Sequence, residues 1–231
     1  MTGHEAATLP VVAPLPPVPE RAVSAEPAEQ RFLIRNIDWT TYQTISEALN
    51  GRHYYMSFDG KDLELMTISD EHAQCRGLMR DFVVVLTEET GQPRRTSGDM
   101  TMNREDLKQG IESDESFYIT NAPKVQRRKI NLAVDPPPDL AIEVDLTTDL
   151  RRRLGIYAQI GVPEIWSYDG STASIFQRQA DGKYAAAEKS RYFAFLTAAV
   201  LSDFLGQRGL VDEDALLLSF RKWVRQQAAN G

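Results

Sequence analysis

The fold class of this chain is indicated by residues 136–146, Pro136-Pro137-Pro138-Asp139-Leu140-Ala141-Ile142-Glu143-Val144-Asp145-Leu146. Three consecutive prolines cannot continue a helix or a central strand, because they have no backbone N–H to donate. Apolar residues then alternate with other residues from Leu140 to Leu146, which is the period of a β-strand with one face in the core. The opposite face carries the carboxylates of Glu143 and Asp145.

Two carboxylates on the same face of one strand repel each other unless a cation lies between them. Hard divalent cations such as Mg²⁺ bind oxygen ligands of this kind. We therefore interpret Glu143 and Asp145 as half of a metal site. The alternative interpretation is a solvated sheet face, since antiparallel sheets often face water on one side.

The composition is that of one large globular domain, with 42% hydrophobic and 26% charged residues among 231. The net charge of −7 argues against a protein that coats nucleic acid, so an enzyme acting on nucleic acid would need local basic patches. The single cysteine, Cys75, excludes an internal disulfide and a cysteine zinc cluster, and favours a cytoplasmic location. Neither a membrane span of about 18 apolar residues nor a secretory signal is apparent.

Residues 1–30 contain six of the twelve prolines and show no helix or strand period. They are predicted to form a disordered or polyproline-type tail. A partner-docking segment around residues 14–17 is the alternative. Residues 31–231 are predicted to form one domain.

The remaining pattern predicts the following elements: a helix from Thr40 or Thr41 to Ala48, a hairpin over 54–58 and 63–66, a helix of about eighteen residues after Ser69, strands over 95–102 and 116–121, a helix over 149–160, a strand over 163–169, a hairpin over 172–179 and 184–188, and helices over 198–205 and 213–228. This order predicts a mixed α/β arrangement with one central sheet. The unit from 139 to 169 should be a right-handed crossover between two parallel strands.

A third acid, Asp114, opens a strand-like segment upstream and could supply another oxygen to the same cation. Phosphodiester cleavage needs such a cation, which converts water into a nucleophile and offsets the charge that grows on the phosphate. The run Arg151-Arg152-Arg153 follows the central strand and could bring a positive charge to the same place.

The segment from about Asp114 to Asp169 resembles the Uma-type family of restriction endonuclease-like proteins, within the PD-(D/E)XK nuclease superfamily. Residues 112–121, 137–145 and 156–166 carry the resemblance, together with Leu63-Glu64-Leu65-Met66 and Glu71-His72. With these upstream motifs included, the resemblance extends over about residues 55–205. The resemblance implies a restriction endonuclease-like α/β core with a mixed sheet, flanking helices and hairpins, and cleavage of DNA that depends on Mg²⁺ or Mn²⁺.

The resemblance also implies roles for particular residues. Asp114 matches the first metal-binding aspartate, and Glu143 matches the acid of the (D/E)XK element. Asp145 stands where the superfamily usually has its lysine, which in this family is commonly displaced to the next helix, four residues before a tyrosine. That position is Arg153, ahead of Tyr157. Arginine keeps the charge and can bind phosphate, but it cannot exchange a proton.

Four further features are weaker candidates. Asp139 either lines the site or begins the strand. Glu64 and His72 lie where the hairpin and helix should approach the site, although a histidine near a helix start is more often a surface or capping residue. The basic run Lys124, Arg127, Arg128 and Lys129 reads as a solvated loop or as an arm that contacts phosphate.

The sequence thus predicts a Mg²⁺-dependent DNA endonuclease in which Asp114, Glu143 and Asp145 hold the metal and Arg153 neutralises the phosphate. A homodimer would suit cleavage of two strands, with the last helix as the contact. One alternative is a catalytically inactive binding or interaction module that keeps the nuclease fold. The other is a metal-dependent hydrolase of a small phosphorylated substrate.

Overall fold

The structure, a computed structural model, describes residues 30–52, 54–126, 129–146 and 150–229. The predicted tail lies outside the described residues except for Gln30. Arg127 and Arg128 of the basic run also lie outside them.

The described residues form eleven strands and six helices. The strands are β1 (Arg31–Ile34), β2 (Tyr55–Phe58), β3 (Leu63–Met66), β4 (Arg95–Thr96), β5 (Thr101–Arg104), β6 (Gln109–Glu112), β7 (Glu115–Tyr118), β8 (Leu140–Val144), β9 (Glu164–Tyr168), β10 (Ala173–Arg178) and β11 (Tyr184–Ala187). The helices are α1 (Trp39–Leu49), α2 (Asp70–Thr90), α3 (Ala122–Val125), α4 (Arg151–Ile160), α5 (Ala198–Leu205) and α6 (Glu213–Ala229).

The strands belong to two sheets, so the expectation of one central sheet is wrong. The first has the order β1-β3-β2-β6-β5, and the second has the order β11-β10-β9-β8-β7-β4. The chain passes from β6 of the first sheet to β7 of the second through Ser113 and Asp114 alone. A link this short carries no turn signal that would separate two strands in the sequence.

The central strand β8 was correctly predicted, and its parallel pairing with β9 is confirmed. Its apolar side chains pack with α2 in the main core. Ala141, on its other face, packs with α4. Glu143, which contacts α4, and Asp145, which contacts Arg31 of β1, are only 2% and 6% exposed. The alternative of a solvated sheet face is therefore wrong.

Local signals located the helices well. Ser69 caps α2 by accepting a hydrogen bond of 3.2 Å from the backbone N–H of His72, and Gly91 ends the helix in the left-handed conformation. The apolar stripe of α6 packs against α2 within the core. That stripe is therefore not available as the dimer contact that the sequence suggested. Of the described helices, none is both long and apolar enough to cross a membrane.

Gly110 of β6 is required by a close approach of two side chains, and its substitution tests the packing of the first sheet. A Cβ atom there would overlap Tyr42 Oη and Asn103 Oδ1, which form a hydrogen bond of 2.7 Å with each other. We expect Gly110→Ala to lower the free energy of unfolding by about 1–3 kcal/mol, measured by urea denaturation. Gly155→Ala on α4, which has open space around the added atom, should be neutral or stabilising. Wild-type stability in Gly110→Ala would contradict this packing.

Candidate active site

The junction between the two sheets places Asp114 beside Glu143. In the antiparallel pairing of β7 with β8, Glu115 lies opposite Ile142, so the preceding residue, Asp114, comes next to Glu143. The Oδ2 atom of Asp114 accepts a hydrogen bond of 2.6 Å from the backbone N–H of Val144. Just before the first residue of β7, the Asp114 side chain thus continues the pairing with β8 by accepting a hydrogen bond from its backbone. Two acids that are 29 positions apart in the sequence meet at one end of a strand pair.

Glu143 is held by two residues of α4. Arg153 approaches both carboxylate oxygens, with Nε 2.7 Å from Oε2 and a terminal nitrogen 2.9 Å from Oε1. The hydroxyl of Tyr157 donates a hydrogen bond to Oε1. Arg153 and Tyr157 are four residues apart and so lie on the same face of the helix. The same terminal nitrogen of Arg153 donates to the carbonyl of Glu112 at 2.7 Å, which ties the site to the first sheet.

The two carboxylates of this cluster favour the protonated, positively charged form of Arg153. The pKa of Glu143 is raised to about 7 as the net result of three effects: burial and the nearby charge of Asp114 raise it, and Arg153 lowers it. For Arg153, burial lowers the pKa, but Glu143 opposes this and the net shift is upward. Arg153 therefore stays protonated, and it is the cation that compensates the two carboxylates.

His72 reaches the site from the first turn of α2. Its Nε2 atom lies 3.1 Å from Asp114 Oδ1, and both side chains are fully buried. Its ring also lies 6.2 Å, between centroids, from the ring of Tyr55. The backbone of His72 takes part in the helix cap, while the side chain faces the acid. The interpretation of His72 as a surface residue is therefore wrong.

Asp145 and Glu64 meet through a residue that sequence reasoning missed. Arg31 of β1 contacts Glu64 Oε1 at 3.0 Å and Asp145 Oδ1 at 2.9 Å. The pairing joins the first sheet to the end of β8. An arginine at the start of a short apolar strand carries no motif, and Arg31 and Asp145 are 114 residues apart. Only the sheet topology could have revealed it.

The structure does not place Asp139 at the site. Its carboxylate accepts hydrogen bonds from the backbone N–H groups of Ile119 and Asn121, at 2.7 and 2.8 Å, and from the side chain of Asn121 at 2.8 Å. It lies at the opposite end of β8 from Asp145. Lys124 of the basic run is bonded to Asn121 at that same end. The structure therefore places Asp139 at the start of β8, away from Glu143 and Asp145.

The residues fit a divalent cation through two carboxylates. Within the described ranges, no three side chains of His, Cys, Asp or Glu are arranged to hold one ion. Mg²⁺, however, is usually bound by one or two carboxylates, with water and substrate phosphate as the other ligands. Asp114 Oδ1 faces His72 and accepts no hydrogen bond from the described residues. Asp114 Oδ1 could serve as one ligand. Glu143 could provide the other ligand once Arg153 releases one of the two oxygens of Glu143.

A groove of about 840 Å³ opens beside this cluster, between α1, α2 and three strands of the first sheet. Its wall includes Glu112, whose carbonyl binds Arg153, and Tyr55, whose ring contacts His72. The groove is therefore the opening next to the buried acids.

The two sheets, their flanking helices and the buried acids at the sheet junction define a restriction endonuclease-like fold. The chain belongs to the Uma2 family, described as "Putative restriction endonuclease", whose model matches residues 39–208. The resemblance inferred from the sequence is confirmed. Comparison with curated proteins finds no match.

The pairing of Glu143 with Arg153 predicts a strong stability coupling. Arg153→Met leaves Glu143 buried without its cation, and we expect a loss of about 3–5 kcal/mol in the free energy of unfolding. The double variant Glu143→Leu/Arg153→Met removes both charges and should lose less than the sum of the two single variants. Urea denaturation of all four proteins measures the coupling. Additive losses would show that the pair is not coupled in solution.

Proposed function

We propose that the chain is an endonuclease that hydrolyses phosphodiester bonds in DNA with a divalent cation, Mg²⁺ or in its place Mn²⁺. The observation that carries this proposal is the buried pair Asp114 and Glu143 with the guanidinium of Arg153 bonded to Glu143. Membership of a family described as restriction endonucleases supports the reaction class.

A cation held by Asp114 and Glu143 would supply an activated water and neutralise charge on the phosphate. Arg153 contributes a second positive charge, since a guanidinium binds the oxygens of a phosphate as well as those of a carboxylate. We infer that Arg153 exchanges Glu143 for the scissile phosphate when substrate is bound. Because it stays protonated, its role is to neutralise charge rather than to transfer a proton.

The surrounding residues position the two acids. Tyr157 keeps one oxygen of Glu143 oriented after Arg153 has left. The backbone of Val144 holds Oδ2 of Asp114, and the His72 ring lies 3.1 Å from Oδ1. Asp145, which the sequence suggested as a third ligand, is held by Arg31 and has a structural role in this proposal. This arrangement restricts the access of substrate to the acids. They are nearly fully buried, so Arg153 has to move before a phosphate can reach them.

A second candidate function is a nuclease-fold module that binds DNA without cutting it. The contact of Arg153 with both oxygens of Glu143 favours it, since the ion pair is complete without a metal. The two candidate functions are compatible with the same fold and the same surface. They differ only in whether Arg153 releases Glu143 when DNA is bound.

Nicking of supercoiled plasmid in Mg²⁺ tests the proposal. We expect Glu143→Gln to reduce the nicking rate by about 100-fold or more, the size of loss that follows removal of one electrostatic group from an active site. Glu105→Gln, the same substitution at an exposed position, should cut like the wild type. EDTA should abolish nicking and excess Mg²⁺ should restore it. Equal nicking by wild type and Glu143→Gln would remove the enzyme reading, and DNA binding without any nicking would favour the second candidate.

The role of Arg153 has its own test. Arg153→Lys keeps the positive charge, whereas Arg153→Met removes it at similar length. We expect nicking to persist in the lysine variant and to fall by about 100-fold in the methionine variant. Circular dichroism spectra of both variants check that the proteins are folded. Full nicking by a folded Arg153→Met protein would show that no cation from α4 is needed.

A further inference from the structure

The groove beside the acids contains a buried carboxylate that the proposed chemistry does not use. Glu115, the first residue of β7, lines this groove and is only 4% exposed. Its Oε1 atom lies 3.5 Å from Nε of Arg76 on α2. Its Oε2 atom accepts no hydrogen bond from any residue the structure describes. A buried acceptor without a donor is costly, so this atom is expected to bind a donor that enters the groove.

The other side chains of the groove narrow down the ligand. The wall carries carboxylates, among them Glu47 and Asp99, as well as the exposed guanidinium groups of Arg52 and Arg80, which can bind a phosphate. Tyr54 lines the groove and is 39% exposed, so it offers an aromatic face for stacking. Guanidinium, aromatic ring and free carboxylate oxygen together match the phosphate, base and amino group of a nucleotide.

The position of the groove connects this ligand with the candidate active site. Glu115 directly follows Asp114 in the chain, and Tyr55 in the groove wall contacts His72, which in turn contacts Asp114. A nucleotide in the groove would therefore lie beside a phosphate bound at the acids.

We propose that the groove takes an unpaired nucleotide of the substrate strand, and that Glu115 Oε2 accepts a hydrogen bond from the exocyclic amino group of its base. Carboxylates accept hydrogen bonds from the N4 amino group of cytosine in the same manner in duplex recognition. This inference rests on the proposed function for its substrate class, and it adds a preference for bases that carry an amino group.

Binding of labelled oligonucleotides tests the inference without requiring cleavage. Fluorescence anisotropy in EDTA compares single-stranded oligo(dC), whose bases carry the amino group, with oligo(dT), whose bases carry a carbonyl oxygen at the same position. We expect the full chain to bind oligo(dC) about tenfold more tightly, the size expected for a hydrogen bond to a charged group. Glu115→Gln presents an amide donor to the thymine oxygen, so the preference should disappear or reverse.

Two control variants keep the outcome interpretable. Glu105→Gln should retain the preference, because that residue is exposed and is not part of the groove. Tyr54→Ser removes the exposed ring, and should weaken binding of both oligonucleotides about equally and leave their ratio unchanged. Thermal unfolding of each variant checks that the fold is intact.

The possible results separate this inference from the proposed function. Equal binding of the two oligonucleotides by the wild type, no binding of either, or a preference that survives in Glu115→Gln would overturn the inference. Loss of nicking in Glu143→Gln together with equal oligonucleotide binding would retain the proposed function alone. A preference for oligo(dC) that depends on Glu115, in a protein that does not nick DNA, would support the inference and contradict the nuclease proposal.

Discussion

The burial of two neighbouring carboxylates is the constraint on which the rest of the structure depends. Asp114 and Glu143 meet at the end of the β7–β8 pair and are screened from water by α2 and α4. Such a pair is unfavourable without compensation, because burial and like charge both oppose ionisation. The chain provides the compensation with the cation of Arg153 and with hydrogen bonds from Tyr157 and from the backbone of Val144. A buried ion pair of this kind is weak evidence of stability in its own right.

The role that we propose for Arg153 depends on its positive charge, which a lysine would also carry. A planar guanidinium contacts both oxygens of a carboxylate, and the same geometry suits a phosphate. Arg153 can therefore change partner without changing its binding mode. The chain as a whole is negatively charged, but several of its arginines lie at the site or in its groove. Arg31, Arg52, Arg76, Arg80 and Arg153 all lie at one of the two.

Much of the fold could be predicted from the sequence, because its signals were local. The alternation in residues 140–146 identified β8, the spacing from Arg153 to Tyr157 identified the face of α4, and Ser69 and Gly91 marked the ends of α2. The structure brings Asp114 and Glu143 side by side through the β7–β8 pairing, as the family resemblance implied. The two sheets were missed because only Ser113 and Asp114 separate β6 from β7. Arg31 was missed because its partners depend on sheet order. Asp139 is a short acid, and it accepts backbone hydrogen bonds at the opposite end of β8 from Asp145.

The two-residue link between the sheets has a mechanical consequence. Ser113 and Asp114 are the link between β6 and β7. A rotation of one sheet against the other would therefore displace the Asp114 carboxylate relative to Glu143. The carbonyl of Glu112, just before this link, accepts a hydrogen bond from Arg153, and Glu115, just after it, lines the groove. Residues 112–115 thus form one continuous covalent connection from the groove to Asp114 and, through the carbonyl of Glu112, to the guanidinium of Arg153.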